Sequence, residues 1–277
     1  MTADVDRVPA HPLASQAAKR RLGRLRATVA VLATQLAFLV ALLAFWEQAT
    51  SSNKAFAFMF GSPSAIAAFL GQMVRDGSLW RDTSVTGLET LLGFFVGNLI
   101  GTLIGLSLWY SRFVSRVVEP FVIALGSIPI IALAPIIIIW FGTGLVSKVA
   151  MSTLSVVIVA LVTSYKGAVG VDPDQINLMR TLGASKFQVF RMLVVPASLT
   201  DIFAGLKLTV GFALIGAIVG EFMSSSEGLG HAIFKAGSLY VIPKVFAALV
   251  VTIALALFLT FLVGKIEQLL MPWRRQR

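Results

Sequence analysis

In this chain of 277 residues, 57% are hydrophobic and only 13% charged, with a mean hydropathy of +0.88 and a net charge of +10. Soluble domains run at roughly 45–50% apolar and about 25% charged residues, so one soluble core cannot hide this much apolar surface, and the class is a polytopic, all-α membrane protein. The absence of cysteine excludes disulfides, thiolate metal sites and thiol nucleophiles, and the only two histidines, His11 and His231, lie too far apart in sequence to suggest a metal site.

A helix needs about 20 apolar residues to cross about 30 Å of hydrocarbon. Six stretches meet that length: Ala27–Trp46, Val85–Trp109, Pro120–Phe141, Lys148–Tyr165, Phe203–Phe222 and Val245–Leu270. Six spans place both termini on one side. Of the 23 Lys and Arg residues, 17 fall on the side of the termini and six on the other, which makes the termini cytoplasmic. The high positive charge is thus topological, and no nucleic-acid partner is expected. The expected organisation is a basic cytoplasmic N-terminus (1–26), a first span and outer segment (27–84), a core membrane domain (85–271) carrying a cytoplasmic loop at 166–202, and a basic cytoplasmic tail (272–277). The first run has a basic flank like a signal peptide, but it is long and ends in Trp46-Glu47, so an uncleaved anchor is expected.

Between the first two spans, Ser62-Pro63 starts a short helix in which Ile66, Phe69, Leu70 and Met73 share one face. That face either lies on the outer membrane surface or packs onto the other spans. In the second span, Gly93, Gly97, Gly101 and Gly105 recur every four residues, a stripe along which another helix can approach closely. The neighbour is expected in the same chain, with a second copy as the alternative. In the third span, GSIPIIALAPIIIIWFGTG, Pro129 and Pro135 each remove a backbone donor. Broken backbone at membrane depth lines a cavity or is buried in protein, which makes Ser127, Pro129 and Pro135 candidates for a pathway or gate; an ordinary kink fits equally well. Glu89 and Glu221 sit near outer span ends and are read as interfacial, Glu221 being kept as a gating candidate. GTGLVSKV (142–149) does not satisfy the phosphate-loop pattern, so no ATP site is expected there.

The loop RTLGASKFQVFRMLVVPA (180–197) is polar and basic in an apolar chain. Asp172-Pro173 can start a helix through Leu182, Gly183 permits a left-handed turn, and Ser185 with Gln188 forms a capping box for a second helix that Pro196 is expected to stop. Phe187, Phe190 and Val194 share a face of that second helix.

With this loop, the sequence resembles the membrane-spanning permease subunits of bacterial binding-protein-dependent ABC importers. Their cytoplasmic pattern is E-A-A-x3-G-x9-I-x-L-P. Here Gly183 is followed at that spacing by Leu193, Val195 and Pro196, while Asn177, Leu178 and Met179 stand at the E-A-A positions, a clear departure. The stretches SIPIIALAPIIIIWFGTG and DIFAGLKLTVGFALIGAIVGEFMSSSEGLG resemble the nitrate, sulfonate and taurine type, whose relatives also import vitamin precursors, riboflavin and aromatic acids. The resemblance covers about residues 62–270. It implies a type I ABC importer permease fold in the bacterial inner membrane and no catalysis by this chain. It also implies a homodimer and two cytoplasmic ATPase subunits that bind ATP and Mg. An external binding protein would deliver a small solute for alternating access. Thr181, Leu182, Gly183, Ala184, Ser185, Phe187 and Pro196 would then form the ATPase-coupling segment. The competing reading, an ion-coupled secondary transporter, calls for deep acidic residues or inverted repeats, and neither is evident.

Overall fold

The computed structural model describes residues 12–271, with side chains from residue 27 onward. The tail at 272–277 and the side chains of the basic segment 1–26 lie outside the described residues. The chain divides into two units, residues 1–64 and 65–277, and the described residues form helices without a strand.

The first unit holds α1 (Pro12–Ser52) and α2 (Lys54–Phe60). Asn53 separates them, its side-chain oxygen accepting the N–H groups of Ala55 and Phe56 at 2.9 and 3.3 Å. The Trp46-Glu47 pair that ends the apolar run closes the following turn. The indole N–H of Trp46 donates to the Gly61 carbonyl at 3.0 Å, and the Glu47 carboxylate accepts both the N–H and the hydroxyl of Ser64.

The second unit begins within α3 (Pro63–Arg75), where Ile66 and Met73 are buried and Phe69 and Leu70 half-buried. The apolar face is packed rather than laid on a surface. The centre of this unit is α7 (Leu145–Val169), gripped between α4 (Ser78–Leu108) and α10 (Val195–Ser224). Glycine makes the approach possible on both sides. A Cβ added at Gly93 would overlap the Ser152 side chain, and one at Gly97 would lie 2.7 Å from Val156 Cβ. At Gly101 and Gly105 it would lie 2.4 Å from the backbone oxygens of Val157 and Leu161. On the other face, Gly216 of α10 sits against the backbone of Met151 and Ser152, and Gly205 against Thr163. The stripe therefore packs within the chain.

Lipid tails are as apolar as the helices, so association rests on close packing and interhelical hydrogen bonds. Both are present. Ser152 donates to the Ala213 carbonyl at 3.0 Å, and Thr209 to the Asn98 side-chain oxygen at 3.1 Å. Phe94, Val156, Ala160, Val210 and Ala213 pack with Leu259 and Val263 of α12 (Ile242–Leu270).

The expected third span is two helices, α5 (Arg112–Gly126) and α6 (Ile130–Phe141), bent by 92°. Ser127 ends α5, its N–H and hydroxyl both donating back to Ile123, and Pro129 adopts an extended ψ of 116° with no N–H to continue the ladder. Pro135 lies inside α6 and does not end it. The break thus belongs to Pro129 alone, a correction to the expectation that both prolines disturb a single helix. Among the described residues, five helices are long and apolar enough to cross a membrane. Counting α5–α6 as one bent span gives six.

Candidate functional site

The loop after α7 is a folded arm. Asp172 accepts the N–H of Asp174 at 2.9 Å and Pro173 opens α8 (Pro173–Thr181). Gly183, at φ +83°, ends it: its N–H donates to Arg180 and the N–H of Ala184 reaches back to Met179, at 2.9 and 3.0 Å. This crossed pair satisfies the last carbonyls of the helix and needs the left-handed conformation that glycine adopts without a Cβ penalty. Ser185 then caps α9 (Lys186–Val189) in a complete capping box with Gln188.

Pro196 does not stop the second helix. The chain stays helical from Lys186 to Ser224 through a π-type turn at Phe190–Val194, in which the Val195 N–H bonds to Phe190. Widening the helix by one residue just before Pro196 accommodates a ring that would otherwise crowd the carbonyl four residues back. Arm and span are therefore mechanically continuous, which corrects the reading of Pro196 as a stop.

The arm is anchored at its base. Val189 and Val194 are fully buried with Ala168 and Val171, and Met179, Ala184, Phe190 and Trp109 pack around them. Phe190 meets the rings of Trp109 and Tyr110 at 5.6 and 5.1 Å. Lys186 donates to the Tyr110 carbonyl and lies over its ring. Phe187 does not join this base; it is 59% exposed at the tip with Leu182 (78%), while Leu178 on α8 and Met192 in the π-type turn are exposed along the arm. Thr181 and Ser185 are exposed beside them, and a Cβ at Gly183 would meet nothing within 4 Å. Of the expected coupling residues, Thr181, Leu182, Gly183, Ser185 and Phe187 gather at the tip, Ala184 turns into the base, and Pro196 stands at the root of α10.

The candidate pathway residues do not form one site. Ser127 and Pro129 make the α5–α6 break, Pro135 is exposed along α6, and Glu221 belongs to a different constellation. Glu221 is fully buried and Glu89 nearly so, which overturns their reading as interfacial. For Glu221 the reason is α11 (Leu229–Ser238), whose first turn folds over it. Glu221 accepts the Thr86 hydroxyl at 2.6 Å and the Gly230 N–H at 2.5 Å; Thr86 in turn accepts the Leu229 N–H at 2.8 Å, and Asp82 accepts the Gly228 N–H at 3.2 Å. Gly228 and Gly230 are needed there, since a Cβ on either would strike the Glu221 carboxyl. The buried Lys148 ammonium donates to the carbonyls of Thr143 and Ser224, closing the same end of α7 onto α10. A cavity of about 660 Å³ lined by Glu89, Lys148, Thr143 and Ser224–Glu227 opens beside this cluster.

The carboxyls of Glu221 and Asp82 accept main-chain N–H groups of the turn that opens α11, so they fasten α4, α10 and α11 together, while Glu89 accepts none of these bonds. Thr86→Val keeps the shape and removes the hydroxyl that bridges Glu221 to Leu229; it should cost about 1–3 kcal/mol. Thr252→Val, which loses only a bond to Ala248 within its own helix, should cost under about 1 kcal/mol. Equal unfolding midpoints for the two purified variants would refute the fastening role.

The bundle and its arm are those of a membrane transport subunit, and the comparisons give the family. Residues 97–272 match the family described as the binding-protein-dependent transport system inner membrane component, and the chain belongs to that family. It is a non-enzymatic permease component of an ABC importer, with the type I permease fold and a multi-pass membrane location. It is 35% identical over 235 residues to the riboflavin transport system permease protein RibX of Chloroflexus aurantiacus, covering 85% of this chain and 88% of that one. It is 36% identical over 160 residues to the formylaminopyrimidine transport permease protein ThiX of Halalkalibacterium halodurans (58% and 64% covered). It is 27% identical over 233 residues to the putative aliphatic sulfonates transport permease protein SsuC of Bacillus subtilis (84% of each). In fold it is similar to a chain of the MetNI methionine ABC transporter in an inward-facing conformation, with a TM-score of 0.63 at 21% identity, covering 70% of this chain and 96% of that one.

Proposed function

We propose that two copies of this chain form the translocation pathway for a small solute, a sulfonate, taurine, nitrate or a related organic anion or vitamin precursor. A binding protein delivers the solute from outside and two ATPase subunits drive transport from the cytoplasm. The observation that carries this reading is the arm: a packed base, an apolar tip that is exposed among the described residues, and an unbroken helical connection into α10. A tip docked on an ATPase can transmit its movement to the α4–α7–α10 bundle, so that the ATP-bound partners favour one permease conformation over the other. ATP and Mg are bound by those partners, and this chain carries no cofactor. Both termini face the cytoplasm, as does the arm.

The Ser185→Cys variant, with cysteines also placed in the co-expressed ATPase, tests the docking directly. Crosslinking should occur in membranes, with Ser185→Cys shielded from impermeant reagents in intact cells. Labelling of that cysteine from outside intact cells would refute the orientation.

A further inference from the structure

At the root of the arm is a cavity of about 680 Å³ enclosed by the ends of α4 and α7, the start of α5 and the flank of α8. Its charged lining is unbalanced: Arg112, Arg116, Arg180 and Lys186 face it against the single carboxylate Glu119. Among the described residues, none of the three guanidinium groups is ion-paired. Arginines that converge without a carboxylate partner suit phosphate, which the planar guanidinium meets with paired donors.

The surroundings indicate where the phosphate comes from. Trp109 and Tyr110, the type of residue that sits at headgroup level, end the α4 span and line the cavity. Arg112 and Arg116 are one turn apart on α5. Beside them, Phe113, Val117 and Phe121 follow at the same spacing as an exposed apolar stripe leading away from the cavity. A charged head with an adjoining oily track fits a phospholipid, and basic pockets between spans on the cytoplasmic side are a known form of anionic headgroup site.

We propose that this cavity holds the headgroup phosphate of an anionic phospholipid of the inner leaflet, bridging α5 to the coupling arm. The leaflet rests on the orientation above; the lipid chemistry does not. Because Arg180 belongs to α8 and Lys186 to α9, an occupied cavity ties the arm to the bent span.

The test is lipid retention by the purified full chain, read by native mass spectrometry after exchange into phosphatidylglycerol or phosphatidylcholine. The wild type should retain phosphatidylglycerol preferentially. The double variant Arg112→Gln/Arg116→Gln should lose about tenfold or more of that preference, while Arg191→Gln, on the arm but outside the cavity, should keep it. Equal retention of the two lipids by the wild type, which needs no variant to fold, overturns the proposal. So does unchanged preference in the double variant with a wild-type gel-filtration profile. Displacement of the lipid by millimolar glycerol 3-phosphate would assign the cavity to a soluble phosphate. Its displacement on binding the ATPase would assign the cavity to a protein contact. Either overturns the lipid as occupant. Retention does not depend on which leaflet the arm faces, so a failed orientation would show in the Ser185→Cys labelling and not here.

Discussion

Gly101→Leu should abolish the accumulation of folded protein, and Gly101→Ala should lower the thermal unfolding midpoint sharply, whereas Gly87→Ala leaves it unchanged or raises it. All three replace a glycine of α4, so helix propensity alone favours every one by up to about 1 kcal/mol. What differs is the neighbour. The new Cβ at Gly87 finds its nearest atom, Leu255 Cδ1, at 4.0 Å. At Gly101 it meets the Val157 oxygen at 2.4 Å, Ala160 Cβ at 2.7 Å and the Leu161 nitrogen at 2.9 Å. Two of those atoms are backbone in the middle of α7, so no rotamer change relieves the clash and α4 must move away. Overpacking that side chains can absorb costs about 1–3 kcal/mol. Here α7 is also clasped from behind by Gly216 and Gly205 of α10, so the cost should reach the top of that range for alanine and exceed it for leucine. Midpoints of detergent-purified protein that rank Gly101→Ala level with Gly87→Ala would refute this packing.

The same glycines explain what could be read in advance. A four-residue repeat marks one helical face whatever lies opposite it, and the small residues themselves say that something approaches closely. The turn at Gly183 and the Ser185–Gln188 capping box were equally legible, because each is local chemistry among residues a few positions apart. Pro196 is not legible in the same way, for a related reason. A proline ends a helix only if the backbone keeps its regular register, and the π-type turn at Phe190–Val194 changes that register under the influence of base packing by Val189, Phe190 and Val194. Pro129 breaks its helix, taking an extended ψ where the ladder of α5 ends at Ser127, whereas Pro135 is tolerated inside α6; sequence alone weighs the two alike. The burial of Glu221 was hidden most deeply. It depends on Thr86, on α4, and on Gly228 to Gly230, beyond the end of its own helix, so hydropathy places the carboxyl at a span end without revealing the turn folded over it. The Gly228-Leu229-Gly230 triplet was the available signal, since two glycines flanking one apolar residue allow the backbone to close on a side chain.

Gly183→Trp should leave the protein in the membrane at close to the wild-type level, abolish solute uptake, and uncouple any remaining ATP hydrolysis of the assembled transporter from transport. Two effects operate and their sizes separate them. A non-glycine residue at φ +83° costs about 1–2 kcal/mol, which loosens the turn without threatening a bundle held elsewhere by α4, α7 and α10. The indole itself costs the isolated chain little, because nothing lies within 4 Å of the added Cβ. On the tip, however, it stands among Leu182, Ser185 and Phe187, where the proposed ATPase groove must close. Gly183→Asn separates strain from obstruction, since asparagine tolerates the left-handed region and is far smaller; it should retain most of the uptake. If the turn mattered only for folding, the Trp variant would be depleted from membranes and uptake per molecule would be normal. If the tip is the contact through which ATP drives the permease, the amount of protein stays and uptake per molecule is lost. Normal uptake by a fully expressed Gly183→Trp variant would remove the arm from the coupling mechanism.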